Sequence, residues 1–126
     1  MTIFGIGTDI IEIKRIAGIL YRTGDRLPRR ILSPDEWQEY KNHNHPERFL
    51  SKRFAVKEAA SKALGTGFRN GVAFYQFEVY KDVLGKPSLR LFDQAAILFN
   101  WLRITSTHIT LSDEKKYAYA TVVFER

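Results

Sequence analysis

The sequence predicts an α+β fold in which an antiparallel sheet packs with one long central helix. A length of 126 residues favours a single domain, over residues 1–126. Residues 46–64 begin with proline and stop before Gly65, as a long helix does. The second half carries segments typical of β-hairpins, so strands and helices do not alternate as they do in a doubly wound parallel sheet.

The first third of the chain predicts a strand followed by a helix. Residues 3–11 form an apolar run typical of a buried strand, and Gly5 and Gly7 allow another backbone to approach it closely. Residues 12–22 place apolar side chains at helical spacing on one face. Gly24 is suited to end that helix.

Residues 33–36 give a start signal for a further helix. Ser33 is suited to cap it, Pro34 fits the first helical position and Glu36 completes a capping box, while Asp35 is another carboxylate suited to a cap. The remaining predicted elements are a strand at 77–81, a turn at 84–87, a strand at 88–92, a helix at 94–102 capped by Asp93, and strands at 108–112 and 117–124.

The composition restricts the class of protein. The chain has no cysteine, which excludes disulfides and thiolate metal sites and fits a reducing compartment. No apolar run reaches the roughly 18 residues of a membrane-spanning helix. The first basic residue is Lys14, which is unlike the basic opening of a signal peptide. We therefore expect a cytoplasmic protein.

The net charge of +6 is concentrated in one stretch. Between residues 14 and 30, a single acid, Asp25, accompanies six basic residues: Lys14, Arg15, Arg22, Arg26, Arg29 and Arg30. Such a patch attracts an anionic partner and speeds encounter with it. A solvated basic face is the alternative, and the charge alone fits nucleic acid, an anionic membrane surface or an acidic protein equally.

Asp9 is the most informative single residue, because it is a carboxylate in an otherwise uncharged apolar segment. Burying such a group is costly unless a cation accompanies it. One interpretation is a ligand of Mg²⁺, which commonly takes one or two protein carboxylates. The other is a cap for the helix that follows, since aspartate is a preferred capping residue.

Glu58 and Lys62 lie one helical turn apart on the predicted long helix and face the same way. Such a pair is the common ion pair of an exposed helix surface, which is the structural alternative. Small and apolar neighbours indicate instead a largely buried helix, which favours a functional pair. Ser61 and Gly65 lie near the same face and allow a ligand to approach.

The paired motifs resemble the holo-[acyl-carrier-protein] synthase family, the short bacterial class of 4′-phosphopantetheinyl transferases. The first motif is Gly5-x-Gly7-Thr8-Asp9-Ile10-x-Glu12-Ile13. The second is Arg53-Phe54-Ala55-x-Lys57-Glu58-Ala59-x-x-Lys62-Ala63-x-Gly65-Thr66-Gly67. The similarity also covers the turn at 84–87 and the strand at 108–112, so it runs through the whole chain.

The resemblance implies a reaction and a role in fatty acid biosynthesis. The phosphopantetheine arm of coenzyme A passes to a serine of apo acyl carrier protein, and adenosine 3′,5′-bisphosphate leaves. The resemblance implies that Asp9 and Glu58 bind Mg²⁺ and that Lys62 contacts the phosphates. Either Glu58 or a metal-bound water takes the proton of the serine.

The resemblance also assigns Arg53 and His108 to nucleotide binding. Arg53 lies about 140° around the helix from Glu58, so the two should not serve one pocket in a single subunit. Family members resemble homotrimers with active sites at the subunit interfaces, which removes that objection. From the sequence alone, His108 is equally a buried structural histidine or a phosphate donor.

The basic stretch gains a partner from the same resemblance. Acyl carrier proteins are small and acidic, so Arg15, Arg22 and Arg26 are predicted docking residues, with neither nucleic acid nor membrane as a partner. One motif departs from the family. Many members carry a histidine in the last hairpin where this chain has Asp113, so no role of that histidine transfers.

Two other functions compete with the transferase. A basic binding module would use Asp9 and Glu58 structurally and bind its partner without Mg²⁺. A small Mg²⁺-dependent hydrolase would split coenzyme A with no carrier protein present.

Overall fold

Five α-helices and five β-strands make up the computed structural model, which describes all of residues 1–126. They are β1 (Ile3–Glu12), α1 (Ile13–Thr23), α2 (Arg26–Ile31), α3 (Pro34–Lys41), α4 (Pro46–Leu64), β2 (Phe77–Lys81), β3 (Pro87–Leu91), α5 (Asp93–Trp101), β4 (Ser106–Asp113) and β5 (Tyr117–Glu125). Strands β1, β5 and β4 form an antiparallel sheet in that order, and β2 and β3 form a separate hairpin. The α+β prediction is confirmed.

Most predicted elements agree with the structure. Helix α4 and strand β2 begin and end where predicted, and no other predicted end differs from the observed one by more than two residues. The capping box of α3 is formed: the Ser33 hydroxyl accepts from the Glu36 amide, and the Ser33 amide donates to Glu36 Oε1. Helix α2 was not predicted. It contains Pro28, which is tolerated because the first turn of a helix has no partner for its amides.

The prediction that Asp93 caps α5 is wrong. Phe92 is the N-cap residue, and no side-chain capping bond comes from Asp93, whose carboxylate accepts from the Tyr75 hydroxyl instead. The side-chain oxygen of Gln76 accepts from the Ala95 amide and so supplies the missing acceptor from outside the helix. That tertiary contact replaces the local cap.

Helix α4 packs across one face of the three-stranded sheet and touches β1 backbone to backbone. A Cβ on Gly5 would lie 1.9 Å from the carbonyl oxygen of Ala63, and a Cβ on Gly7 would lie 1.9 Å from that of Ala59. Any side chain here would force the two elements apart. The contact therefore confirms the predicted close approach and fixes the next residues of β1, including Asp9, against α4.

The opposite face of the sheet is open to solvent. Ile6 and Ile10 of β1 are 59% and 63% exposed, and Tyr119, which pairs with Ile10 across the sheet, is 44% exposed. The interpretation of residues 3–11 as a buried strand is thus correct for one face only, because side chains alternate along a strand. None of the helices is both long and apolar enough to cross a lipid bilayer.

Candidate active site

Asp9 and Lys62 meet where β1 crosses α4. The Nζ atom of Lys62 donates to Asp9 Oδ1 at 3.2 Å and to the carbonyl oxygen of Thr8 at 3.0 Å. The side chain of Asp9 is 19% exposed and that of Lys62 is 52% exposed. The pair therefore lies at the edge of the contact between strand and helix, where a ligand can reach it.

Glu58 belongs to the same place. Burial raises the pKa of the Glu58 carboxyl above its ordinary value of 4.5, the charge of Asp9 raises it further, and Lys62 lowers it. A rise of this kind is expected where two carboxylates share a site. The structure thus brings together the three side chains, Asp9, Glu58 and Lys62, that the sequence analysis selected.

The two structural alternatives for these residues are not formed. Helix α1 has Glu12 as its N-cap residue and no side-chain capping bond, so Asp9 does not cap it. Lys62 forms its ion pair with Asp9 and none with Glu58. A surface ion pair within α4 therefore does not explain Glu58 and Lys62.

The donor set suits a hard divalent cation such as Mg²⁺. The two carboxylates of Asp9 and Glu58 are oxygen ligands, and a cation between them would relieve their repulsion. No three acidic, histidine or cysteine side chains lie together in an arrangement that could hold a metal ion. Two carboxylates are nonetheless enough for Mg²⁺, because water and phosphate oxygens complete its shell.

A surface pocket of about 440 Å³ opens beside the carboxylates, and its lining residues are Thr8, Asp9, Ile10, Lys62 and Tyr119. It offers one ammonium group and one carboxylate on an otherwise uncharged wall. An anionic group that enters it meets Lys62 first, since that side chain is the more exposed of the charged pair.

Ser61 and Gly65 help to end α4. The Ser61 hydroxyl is buried and donates to the carbonyl oxygen of Glu58 at 2.8 Å, so it is engaged within the helix. Gly65 has a φ of 92°, a left-handed conformation that favours glycine. Its amide and that of Gly67 donate to the carbonyl oxygen of Ser61. Ligand contacts of these residues stay a prediction.

Arg53 lies apart from Asp9, Glu58 and Lys62, as its position on the helix predicts. Its guanidinium contacts two acids, Glu36 and Glu39, each at 3.3 Å, and stacks over the ring of Phe49. The side chain is only 7% exposed, and its Nε atom makes no hydrogen bond. It lines a cavity of about 230 Å³, whose other polar lining residues are Glu39, His43, Lys52 and Lys81.

His108 lies on the open face of the sheet. It pairs across β5 with Val123, which in turn pairs with Ile6, and all three point away from α4. Its side chain is 54% exposed, and its Nε2 atom contacts the carboxylate of Glu125. It is therefore not a buried histidine, and within one chain it lies on the opposite face of the sheet from Asp9.

The predicted docking residues are all exposed. Arg15 and Arg22 lie seven residues apart on α1, which places them on one side of the helix, and Arg26 begins α2. Helix α1 follows β1 without a break, so Arg15 lies only six residues beyond Asp9. The docking residues therefore follow directly on the strand that carries Asp9.

Buried charges that no sequence pattern predicted surround α4. Lys57 is fully buried and donates to Glu36 Oε1 at 2.6 Å and to the carbonyl oxygen of Ile31 at 2.7 Å. One feature of the sequence indicates that Lys57 is buried. It lies seven residues from both Leu50 and Leu64, on the same side of the helix as these two apolar residues.

Asp113 ties the last hairpin to α4. Its carboxylate accepts from Arg48 at 2.8 Å and lies 3.5 Å from Lys52. Arg48 also donates to the carbonyl oxygens of Glu114 and Lys115. Asp113 is thus a structural anchor between the last hairpin and α4. Asp35 is exposed in the first turn of α3 and forms no hydrogen bond or ion pair with Asp9, Glu58 or Lys62.

Known proteins resemble this chain along its whole length. A holo-[acyl-carrier-protein] synthase of Sodalis glossinidius is 68% identical over 126 residues, covering 100% of both chains. The protein of the same name from Yersinia pestis is 62% identical and covers 99% of each chain. Both span this chain essentially from end to end.

Solved structures extend the similarity to the fold. The holo-[acyl-carrier-protein] synthase of Neisseria meningitidis matches with a TM-score of 0.94 at 38% identity, covering 99% of this chain and 100% of that one. A Bacillus anthracis relative in complex with coenzyme A (3′,5′-ADP) matches with a TM-score of 0.80 at 36% identity, covering 98% and 97%. A model of the 4′-phosphopantetheinyl transferase superfamily matches residues 5–122. By sequence and fold, the chain belongs to the 4′-phosphopantetheinyl transferase superfamily.

Proposed function

We propose that this chain transfers the 4′-phosphopantetheine group of coenzyme A to a serine of apo acyl carrier protein, with Mg²⁺, in support of fatty acid biosynthesis in the cytoplasm. The observation that carries the proposal is the contact of Lys62 with Asp9 beside Glu58 in an open pocket. The curated relatives' name and the coenzyme A in a relative's structure support it.

Each of the three side chains has a role. Asp9 and Glu58 would hold Mg²⁺, which when bound neutralises the pyrophosphate of coenzyme A and orients it. Lys62 places a fixed positive charge where negative charge develops on the phosphate oxygens. Phosphoryl transfer needs such positioning and charge stabilisation more than covalent help from the protein.

The transfer exchanges one phosphorus–oxygen bond for another. The serine oxygen forms a bond to the β-phosphorus while the bond from that phosphorus to the bridging oxygen breaks. Adenosine 3′,5′-bisphosphate carries away the bridging oxygen and its electron pair. The serine proton must be lost as well, and the Glu58 carboxylate is the proposed acceptor, directly or through solvent.

We propose that the active enzyme is a homotrimer in which Arg53 and His108 serve the site of a neighbouring subunit. The open sheet face supports this, because Ile6, Ile10 and Tyr119 are exposed apolar side chains that a second copy would cover. The cavity beside Arg53 also has Lys52 and Lys81 in its lining, and this excess of basic residues suits an anionic nucleotide.

We propose that residues 1–126 act as one catalytic domain and that Arg15, Arg22 and Arg26 dock the acidic carrier protein. Exposed charges of this kind chiefly speed the encounter with an oppositely charged protein and orient the two partners.

Intact-protein mass spectrometry tests the function directly. Apo acyl carrier protein is incubated with this chain, coenzyme A and Mg²⁺, with EDTA as the control. A gain of one phosphopantetheine group, absent with EDTA, is the expected result. Hydrolysis of coenzyme A without a mass gain would identify a hydrolase, and binding of the carrier with neither reaction would identify a binding module.

A further inference from the structure

We infer that Lys62 couples the divalent cation to the pyrophosphate, because the lysine changes its partner from Asp9 to a phosphate oxygen. The cation and coenzyme A should therefore bind more tightly together than either binds alone. This inference deepens the proposed function and rests on it.

Lys62 competes with a divalent cation for Asp9. The ammonium nitrogen lies 3.2 Å from Asp9 Oδ1, within ion-pair distance. A divalent cation bound to the same carboxylate would meet this positive charge at close range, where like charges repel strongly. The lysine therefore lowers the affinity of Asp9 and Glu58 for a cation that arrives alone.

Lys62 is also able to exchange partners. It reaches across from α4 as a half-exposed side chain on a flexible four-carbon stem. Its hydrogen bond to the carbonyl oxygen of Thr8 does not compete with a cation, because that oxygen belongs to neither carboxylate. A phosphate oxygen in the adjoining pocket then offers a second anionic partner on the exposed side.

The coupling must be reciprocal. If coenzyme A draws Lys62 from Asp9 and thereby tightens cation binding, the cation must tighten coenzyme A binding by the same factor. A lysine that serves only to hold β1 against α4 would show no such coupling. The two roles therefore differ in a binding measurement that needs no carrier protein and no turnover.

The experiment uses Mn²⁺ as the probe, with free Mn²⁺ followed by electron paramagnetic resonance, with and without coenzyme A. Lys62→Met is compared with the wild type, and Lys41→Met is the control because it removes the same charge at the end of α3, where the residue forms no ion pair. Lys62→Met should bind Mn²⁺ alone roughly tenfold more tightly, a value reduced for the exposure of the lysine. The enhancement by coenzyme A should fall by a similar factor. Lys41→Met should change neither.

Unchanged affinity of Lys62→Met for Mn²⁺ alone would overturn the inference. A double-mutant cycle gives a second readout if one variant folds poorly. With EDTA present, Asp9→Asn should tighten coenzyme A binding when Lys62 is present, because the substitution frees the lysine. The same substitution should have a smaller effect in the Lys62→Met background. An equal effect in both backgrounds would also contradict partner exchange.

The outcomes separate this inference from the proposed function. A wild-type chain that modifies the carrier protein but shows no effect of Lys62 on Mn²⁺ binding refutes the coupling alone. A chain that shows the coupling but modifies no carrier protein refutes the transferase activity alone.

Discussion

Lys57 and Glu36 form a salt bridge of 2.6 Å with both side chains shielded from solvent. Glu36 Oε2 also accepts from the Val79 amide, so this carboxylate joins three elements, α3, α4 and β2. Burial lowers the pKa of Lys57 below its ordinary value, while the charge of Glu36 opposes that shift.

Replacing one partner of this pair should destabilise the fold. Lys57→Met removes the nearer of the two cations that contact the buried Glu36 carboxylate and leaves only Arg53, a change that should cost up to about 3 kcal/mol. Urea unfolding at neutral pH measures it. The double variant Lys57→Met/Glu36→Gln should recover part of the loss, since no buried carboxylate then lacks its ammonium and Arg53 keeps Glu39 as a partner. A double variant no more stable than Lys57→Met would contradict this account.

The carboxylates at the active site should be essential for transfer but not for folding. Asp9→Asn and Glu58→Gln keep the side-chain shape and remove one charge each, and each should lower kcat by roughly a hundredfold or more. Glu47→Gln is a matched control, since it removes a charge from the first turn of the same helix. The carrier-protein mass assay gives the rate, and circular dichroism checks the fold. Turnover close to wild type in either variant would remove the metal-site assignment.

The proposed docking arginines should affect the KM for the carrier protein more than the KM for coenzyme A. Reversing the charge of Arg15 and Arg22 together should raise the KM for the carrier protein by roughly tenfold and leave that for coenzyme A nearly unchanged. The effect should shrink as salt is added, because exposed charges are screened. Lys41→Glu with Lys86→Glu makes the same charge change elsewhere and should leave both constants near wild type. Equal rises in both constants would argue against docking at these arginines.

Asp113 should stabilise the fold in a pH-dependent manner. Partial burial raises the pKa of Asp113, but the hydrogen bond from Arg48 and the charge of Lys52 outweigh it and hold the pKa below its ordinary value of 3.8. A carboxyl whose pKa falls on folding contributes its stability above the unfolded pKa and loses it as the pH falls through the folded pKa.

The corresponding test compares Asp113→Asn with the wild type by urea unfolding. At pH 7 the variant should be less stable by up to about 1 kcal/mol, a small value because the pair is partly exposed. The difference should narrow below the ordinary pKa of an aspartate, where the carboxyl of the unfolded chain is protonated. A difference that stays constant from neutral to acid pH would show that charge is not its cause.

The contact of Gly7 with Ala59 predicts a severe effect from a single methyl group. Gly7→Ala would place its Cβ 1.9 Å from a backbone oxygen, which neither element can avoid without moving. We expect a loss of about 3 kcal/mol or more in the free energy of unfolding. Gly18→Ala, within α1, is the control and should be neutral or slightly stabilising, because alanine favours a helix. Equal stabilities of the two variants would refute the close contact.

Local signals made the helices predictable. Pro46 and Gly65 bound α4 through their own backbone preferences, and the capping box of α3 lies within four successive residues. The isolated carboxylate at Asp9 and the spacing of Glu58 and Lys62 pointed to one site, although the resemblance to a family was needed to assign their chemistry.

Tertiary contacts account for what sequence reasoning missed. The acceptor for the start of α5 comes from Gln76, seventeen residues before Asp93 along the chain, so no cap signal near Asp93 could reveal it. The environment of Lys57 depends on α3 and β2 folding over α4. Sequence alone likewise did not reveal that one side of β1 would be left open to solvent.

The backbone contact between β1 and α4 has a consequence for divergence. Because no side chain separates the two elements at Gly5 and Gly7, no side-chain volume sets the spacing between Asp9 and Glu58. Core residues elsewhere are then free to exchange for others of different size while the two carboxylates keep their separation. Substitutions in the core therefore leave the geometry of the active site unchanged as long as both positions on β1 remain glycine.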